Sequence, residues 1–381
     1  MPSASGPLSS ASGRCKGQEP ENLGVHRGKP RMPSTTVLFE LPRVGVIITC
    51  HNYRAYVGDA IRSVLAQTYQ KWDCVIVDDA STDGSAEHVR QLLETIGDPR
   101  LRLLVRPQNG GQIAAFRDGF AAGDQPFVAF LDADDVWLPN FLVAHLSAHL
   151  NTMHPASLSS SDAFLVDRDR VALSGTYLGL RKPRSGENPI GVAVPSVNRI
   201  GEVAPEIAYS SEYPITYLGP KTPGWIWAPT SSMVFRRGVL EPVLPFPFKV
   251  RTGTDYLAAT CAHMVAGSLL LSESLGLYRL HGANISTNGA YEGGHVQLLP
   301  ANKVKQIALG ADVLDYVVAN AERLDAINGK GFVSEVLAHH LRRFGKLFDD
   351  PRIAPFLSPR NRWRWWRKRA VRHLRRLFGQ A

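Results

Sequence analysis

At 381 residues, 44% hydrophobic and 20% charged, the chain has the size and composition of a soluble globular protein of one large domain or two. No apolar run approaches the roughly 18 residues that cross a bilayer as a helix, so no such span is expected. The N-terminus lacks the charged-then-apolar order of a secretory signal, which places the expected protein in the cytosol. Its four scattered cysteines, Cys15, Cys50, Cys74 and Cys261, suit reduced thiols better than a disulfide frame or a zinc site.

Residues 1–42, rich in Ser, Gly and Pro, read as a disordered segment. Regular patterning starts at Val44. Val44 to Thr49 is an apolar run of buried-strand type, followed by Val57, Ile61, Val64 and Leu65 at helical spacing. Trp72 to Val77 predicts a second strand, and Val89, Leu92, Leu93 and Ile96 a second helix. Leu101 to Val105 and then Ile113, Phe116 and Phe120 repeat the pattern. Phe127 to Leu131 predicts a fourth strand, with a helix after Pro139. Apolar strands alternating with helices imply an α/β protein with a parallel sheet covered on both faces. Further on, Ser157 to Val166 continues the sheet. Residues 181–224, with seven prolines, read as a long loop or insertion, and Val304, Ile307, Val313 and Val317 mark a helical appendage. No internal repeat is found.

Ligands of open α/β sheets bind beyond the carboxyl ends of the strands. After the first strand comes Thr49-Cys50-His51-Asn52-Tyr53, and after the second Asp78-Asp79-Ala80-Ser81-Thr82-Asp83-Gly84. After the third comes Asn109-Gly110-Gly111-Gln112, and after the fourth Asp132-Ala133-Asp134-Asp135. One such cluster is as well explained by helix capping, for which Asp and Ser are preferred. Four together define a site. Asp132-Ala133-Asp134, held at a strand end, offers oxygen ligands of the kind that take Mg²⁺ or Mn²⁺ against a diphosphate. A glycine-rich dinucleotide turn, a phosphate loop ending Gly-Lys-Ser/Thr and a His-Glu-x-x-His helix are all missing from the sequence.

With these residues in view, Val44–Asn140 resembles the nucleotide-sugar-binding half of the family 2 inverting glycosyltransferases. The resemblance rests on Ile48 to Tyr53, Val77 to Gly84 and Phe130 to Asp135, close over about 100 residues and loose over about 240. It implies a GT-A-type, Rossmann-like, mainly parallel sheet with helices on both faces, plus a C-terminal helical appendage. Its donor half would cover residues 43–155 and its acceptor half 156–290. By the same resemblance Thr49, His51 and Asp79 would hold the nucleoside base, Asp132 the ribose and Asp134 the metal, Mn²⁺ or Mg²⁺. Asn52 and Asp78 belong to the same donor motifs, and Gln112 is a further donor contact. The family often has Tyr at the position of His51, and Arg-Asn at that of Phe116-Arg117, which are left out of the site.

An inverting transfer needs a carboxylate to deprotonate the acceptor hydroxyl. Thr254-Asp255-Tyr256 resembles the family's acidic helix opening, making Asp255 the candidate base. A plain N-cap of the helix Tyr256–Ala266 is the competing reading. His281, in Tyr278 to Ser286, resembles a segment whose His can ligate the metal, against an ordinary structural histidine. Pro229 to Met233 resembles the acceptor-side strand. Trp225 and Trp227 before it are either an acceptor platform or core.

The net charge of +9 is concentrated at the end of the chain. Residues 291–358 form the expected appendage, and residues 359–381 carry nine Arg or Lys and no acid, leaving the rest about neutral. Trp363, Trp366, Ala370, Leu374 and Leu377 recur at three or four, with Arg364, Lys368, Arg372 and Arg375 on the other side. That pattern fits an amphipathic helix on an anionic membrane, at the inner face if the acceptor is a lipid-linked or envelope glycan, or a solvated helix folded onto the body. Two rivals to glycosyl transfer stand: single-stranded nucleic-acid binding through the Arg/Trp tail, which the neutral, acid-lined body disfavours, and a nucleotidylyltransferase, whose Gly-rich basic loop is missing after Thr49.

Overall fold

Alternate residues of one buried strand set the layers. In β1 (Val44–Cys50) every position is buried. Val46 and Ile48 face a cluster with Val57, Ile61 and Val64 of α1 (Val57–Leu65) and Val89 of α2 (Ser85–Ile96). Ile47 faces the opposite cluster, with Phe116 and Phe120 of α3 (Gln112–Ala121). Side chains alternate across a strand, so a wholly apolar run is one buried on both faces.

The computed structural model describes residues 39–178, 192–194, 208–209, 214–282, 284, 291–292, 295–296, 303–343 and 350–377. The main unit begins at Leu41, so the segment expected to be disordered lies almost wholly outside the described residues. β1 pairs in parallel with β2 (Trp72–Asp78) and with β4 (Phe127–Asp132), and β2 pairs in parallel with β3 (Leu101–Val105). Beyond β4 the sheet turns mixed. Numbered in chain order, the remaining strands are β5 (Val136–Trp137), β6 (Leu158–Val166), β7 (Ala172–Ser174), β8 (Val192–Val194), β9 (Ile215–Leu218), β10 (Met233–Arg236) and β11 (Ser268–Arg279). The order across the sheet is β3-β2-β1-β4-β10-β6-β11-β9-β8, with β5 on β11 and β7 on β6. β8 and β9 fall in the segment read as a loop. Both are short strands in a proline-rich stretch, β8 at the sheet edge and β9 between it and β11, and prolines bounding such strands hid them from the sequence pattern. Most of the rest of 181–213 lies outside the described residues.

α4 (Phe141–Asn151) covers the α1 face, and α6 (Thr254–Ala266), which follows the single turn α5 (Arg237–Leu240), covers the α3 face. The other side of α6 buries Leu257, Cys261 and Met264 against the appendage: α7 (Lys303–Ala319), α8 (Ala321–Asn328), α9 (Phe332–Arg343) and α10 (Pro359–Leu377). A small hairpin, Tyr291–Glu292 with His295–Val296, precedes it. Cys50, Cys74 and Cys261 are buried and free, and burial pushes the Cys50 thiol up to about 12.

Three histidines are buried in this frame. His145 binds Ser159 Oγ (2.7 Å), His149 approaches the Val234 carbonyl (3.4 Å) and His263 binds Ser268 Oγ (2.5 Å). Burial lowers all three; His149 falls to about 3 and His263 to about 4 from an ordinary 6.5. Their folded values lie below the unfolded one, so their stabilising share is present above about pH 6.5 and is lost as pH falls. His149→Gln is expected to flatten the loss of stability between pH 7 and 5 by up to one proton, about 1.4 kcal/mol per pH unit. Urea unfolding across that range checks it; equal slopes in both proteins would mean that His149 is charged in the fold.

Candidate functional site

The register levels the strand ends. Cys50 pairs with Asp78, Thr49 with Asp132, and Asp78 with Val105, so the loops after all four parallel strands open side by side. The first two are laced together. Asn52 sits at φ +62°, a conformation Asn tolerates. Its Oδ1 accepts from the Thr82 amide (2.7 Å), and its own amide donates to Ser81 Oγ (3.0 Å). Asp78 Oδ1 accepts from the Ser81 amide (2.9 Å), closing an Asx turn. Asn52 and Asp78 therefore shape the rim through their side chains.

Asp79, also buried, reaches the third loop. Its two oxygens accept from the Gly110 amide (2.9 Å) and the Gly111 amide (2.8 Å), and Arg106 pairs with it. Gly111 has φ +82°, and a Cβ there would lie 2.6 Å from the Arg251 carbonyl oxygen, so only glycine fits. Arg251 in turn donates to the Asn109 carbonyl (2.8 Å) and Oδ1 (2.7 Å). His51 is exposed above this loop; its Nδ1 lies 2.9 Å from the Asp79 carbonyl oxygen and Asn109 Nδ2 lies 3.0 Å from its Nε2. A donor N–H at Nδ1 satisfies both contacts and leaves the ring standing on the rim.

The acids after β4 form the floor. Asp132 Oδ1 accepts from Thr49 Oγ1 and Gln112 Nε2, both at 3.2 Å, and the Asp132 amide donates to Ser231 Oγ (3.1 Å). Asp135 Oδ1 accepts from the Arg279 amide (3.1 Å). Burial, and then the charge of Asp134, raises Asp132 to about 7 and lifts Asp135 well above the carboxylate range. Asp255 contributes to the Asp132 shift, which brings it within electrostatic reach of this cluster. Asp255 is the second residue of α6, whose N-cap is Gly253 at φ +88°, so Asp255 is not the N-cap of this helix and the helix begins earlier than Tyr256.

His281 Nε2 lies 2.9 Å from Asp134 Oδ2, with the His281 side chain 2% and that of Asp134 10% exposed. Two irregular places in the chain bring this about. β11 shifts register twice between Leu271 and Leu277, bending toward β5, and Asn284 Oδ1 then accepts from the His281 amide (2.9 Å). Tyr56 stacks on the His281 ring at 4.8 Å and Tyr53 meets it edge-on at 5.5 Å. Burial and the neighbouring acids raise the Tyr53 hydroxyl, keeping it a neutral donor beside Asp134. Among the described residues no three His, Cys, Asp or Glu side chains converge on one point fit for an ion.

On the far wall, the turn Thr230–Ser232 is buried against β4, and its Ser231 is spent on Asp132 and, through its carbonyl, on Trp137 Nε1 (2.6 Å). Trp227 is core, donating to Ser268 Oγ (2.9 Å), whereas half-buried Trp225 stacks with Tyr256 at 5.9 Å, next in sequence to Asp255. Phe116 stacks on Phe130 at 4.0 Å and Arg117 donates to the Leu244 carbonyl. Sequence reasoning missed Asp135, Tyr56, Arg106, Arg251 and Arg279. Asp135 stood within the fourth motif and Arg279 within the His281 segment; the others meet the site only through the fold.

Residues 45–196 match the family described as Glycosyl transferase family 2, and the chain belongs to that family. Over 248 residues it is 33% identical to an uncharacterized glycosyltransferase, alr2836, of Nostoc sp. (64% of this chain, 66% of that protein). It is 25% identical over 249 residues to the succinoglycan biosynthesis protein ExoO of Rhizobium meliloti (65% and 63%). Over 107 residues it is 32% identical to WfgD of Escherichia coli, a UDP-Glc:alpha-D-GlcNAc-diphosphoundecaprenol beta-1,3-glucosyltransferase (28% and 41%). The chain thus spans less than two thirds of these relatives' own length. A crystal structure of S. aureus TarS 1-349 with UDP-GlcNAc covers 82% of this chain and 80% of its own at 16% identity, with a TM-score of 0.48, too loose to argue from. Membership of the family disfavours both rival readings.

Asp79→Asn is expected to cost about 1–3 kcal/mol of stability, since an amide nitrogen would face a backbone N–H and Arg106 would keep only Asp118 of its two charge partners. A lowered thermal midpoint with weakened nucleotide binding checks it; a variant as stable as the parent would show that the 109–111 loop does not depend on Asp79.

Proposed function

We propose that the chain moves a sugar from a nucleotide diphosphate donor, a UDP-sugar in first place, to a glycan or lipid-linked acceptor with inversion. The observation that supports this best is the juxtaposition of Asp134 and His281 in a cluster that also feels Asp255. The naming of WfgD for UDP-Glc and a diphosphoundecaprenol-linked acceptor favours uridine and a lipid-linked acceptor.

The residues present fit a divalent ion. Ligands at right angles about 2.1 Å from a metal lie about 3 Å apart, which is the spacing of Asp134 Oδ2 and His281 Nε2 (2.9 Å). With two such protein ligands among the described residues, donor phosphate oxygens and water would complete the shell, the usual arrangement for Mg²⁺ and Mn²⁺. A carboxylate beside an imidazole tilts the choice toward Mn²⁺. When bound, the ion offsets the crowded acids and supplies positive charge to the departing diphosphate.

In this reading His51 and the loop held by Asp79 receive the base, and Asp132, oriented by Thr49 and Gln112, receives the ribose. Asn52 and Asp78 hold the rim in shape. Asp255 accepts the proton of the acceptor hydroxyl as its oxygen bonds to the anomeric carbon and the bond to the diphosphate breaks. Trp225 and Tyr256 form the acceptor wall beside it. The proposed setting is the cytoplasmic side of a membrane.

Asp134→Ala should abolish Mn²⁺-dependent binding of UDP in calorimetry while the protein still melts cooperatively; unchanged affinity would sink the metal assignment. Asp255→Asn should bind donor normally and lose roughly 10²–10⁴-fold in transfer, the usual worth of a general base. Turnover near the parent's in a stable Asp255→Asn protein would reduce Asp255 to a helix-end residue. Both need a donor screen first, in which nucleotide release is followed with Mn²⁺ and envelope extract.

A further inference from the structure

The basic helix α10 is pinned along one side. The Ser358 amide donates to Ser334 Oγ (2.8 Å), Ser358 Oγ accepts from the Asn361 amide (3.4 Å) and its carbonyl accepts from the Arg362 amide (2.7 Å). Ser before Pro359 is thus a built helix start. Trp365 is 2% exposed and joins Phe332, Val333, Leu337, Ile353 and Leu357 in the core shared with α6. A residue two places away on a helix points about 200° round. Trp363, two places before Trp365, and Leu374, nine places after it, point away from the core, and Trp366 points about 100° to the side; they stand 62%, 51% and 57% exposed, with Ala370 exposed between them.

A surface helix normally turns its apolar stripe inward; this one has a second stripe, rich in tryptophan, turned outward. Arg364 and Arg367 are exposed beside it, and the Arg367 guanidinium lies 5.6 Å from the Trp363 ring centre. Among the described residues no acidic side chain pairs with Arg364 or Arg367, and residues 359–381 contain no acid. No helix of the described residues is long and apolar enough to cross a membrane. An apolar stripe flanked by unpaired cations is complementary to an anionic bilayer surface, where tryptophan settles at the headgroup level.

We propose that α10 is a rigid docking helix for an anionic lipid surface, lying in the headgroup plane through Trp363, Trp366, Ala370 and Leu374 and clamped to the body by Trp365. Because Trp365 and the Asp255 helix α6 share one core, lipid contact holds the site at a set orientation to the surface. Lipid docking of this kind is independent of what the site at Asp134 does.

The test is co-sedimentation of the full chain with vesicles of equal parts phosphatidylglycerol and phosphatidylcholine, and with phosphatidylcholine alone. The parent should pellet with the anionic vesicles only and be released by salt. Trp363→Ser/Trp366→Ser/Leu374→Ser should partition at least tenfold less while melting like the parent. Arg364→Gln/Arg367→Gln should lose about fivefold per charge. UDP affinity should be unchanged in both variants, which separates lipid docking from the donor site. The proposal is overturned if the parent does not pellet, if the stripe variant pellets like the parent, or if neutral vesicles bind equally. It is also overturned if single-stranded RNA displaces the vesicles at equal ionic strength, or if the stripe closes a lipid-independent dimer.

Discussion

Negative charges in a low-dielectric place repel one another and lose hydration, and the end of β4 gathers Asp132, Asp134 and Asp135 with Asp255 in reach. Such a cluster persists only if every carboxylate is given a fixed partner or held neutral. Thr49 and Gln112 serve Asp132, the Arg279 amide serves Asp135, and His281 serves Asp134. In the proposed reading, a divalent cation would offset both the repulsion that remains and the negative charge of the departing diphosphate.

Much of the remaining architecture exists to deliver those partners. Thr49 comes from the adjacent strand in register, Gln112 from the first turn of α3, and Ser231 from a turn nearly a hundred residues on. His281 and the Arg279 amide arrive only because β11 bends. The Arg279 guanidinium continues outward to Asp59 (2.9 Å) and over the Tyr56 ring, so the end of β11 is fastened to the start of α1. The loops after β2 and β3 follow the same logic: Asp79 is the post on which Gly110 and Gly111 hang.

The helical appendage is likewise no mere addition. It buries the outer side of α6, whose first turn carries Asp255, and its Asp312 accepts the Lys249 (2.9 Å) and Val250 (3.0 Å) amides immediately before Arg251 touches the Asn109 loop. The Asn109 loop, the helix that carries Asp255 and the C-terminal helix therefore share one packed continuum.

What could be read from the sequence was everything whose cause is local. Apolar runs such as Val44 to Thr49 announce strands buried on both faces, the acids and amides after them mark the ligand end of the sheet, and the pattern of 363–378 announces an amphipathic helix. The short strands Val192–Val194 and Ile215–Leu218 were not legible, because three or four residues between prolines carry no periodicity. Nor was the choice between Trp225 and Trp227, since the partner that makes one of them core, Ser268, lies 41 residues away. The sequence by itself determined the α/β class, the family and the residues Asp132, Asp134, Asp255 and His281 as candidates. Only the tertiary structure decided that Asp134 and His281 meet, that Asp79 and Asn52 hold loops, and that Trp365 faces in while Trp363 faces out, because each depends on contacts between segments whose separation along the chain leaves no trace in local pattern.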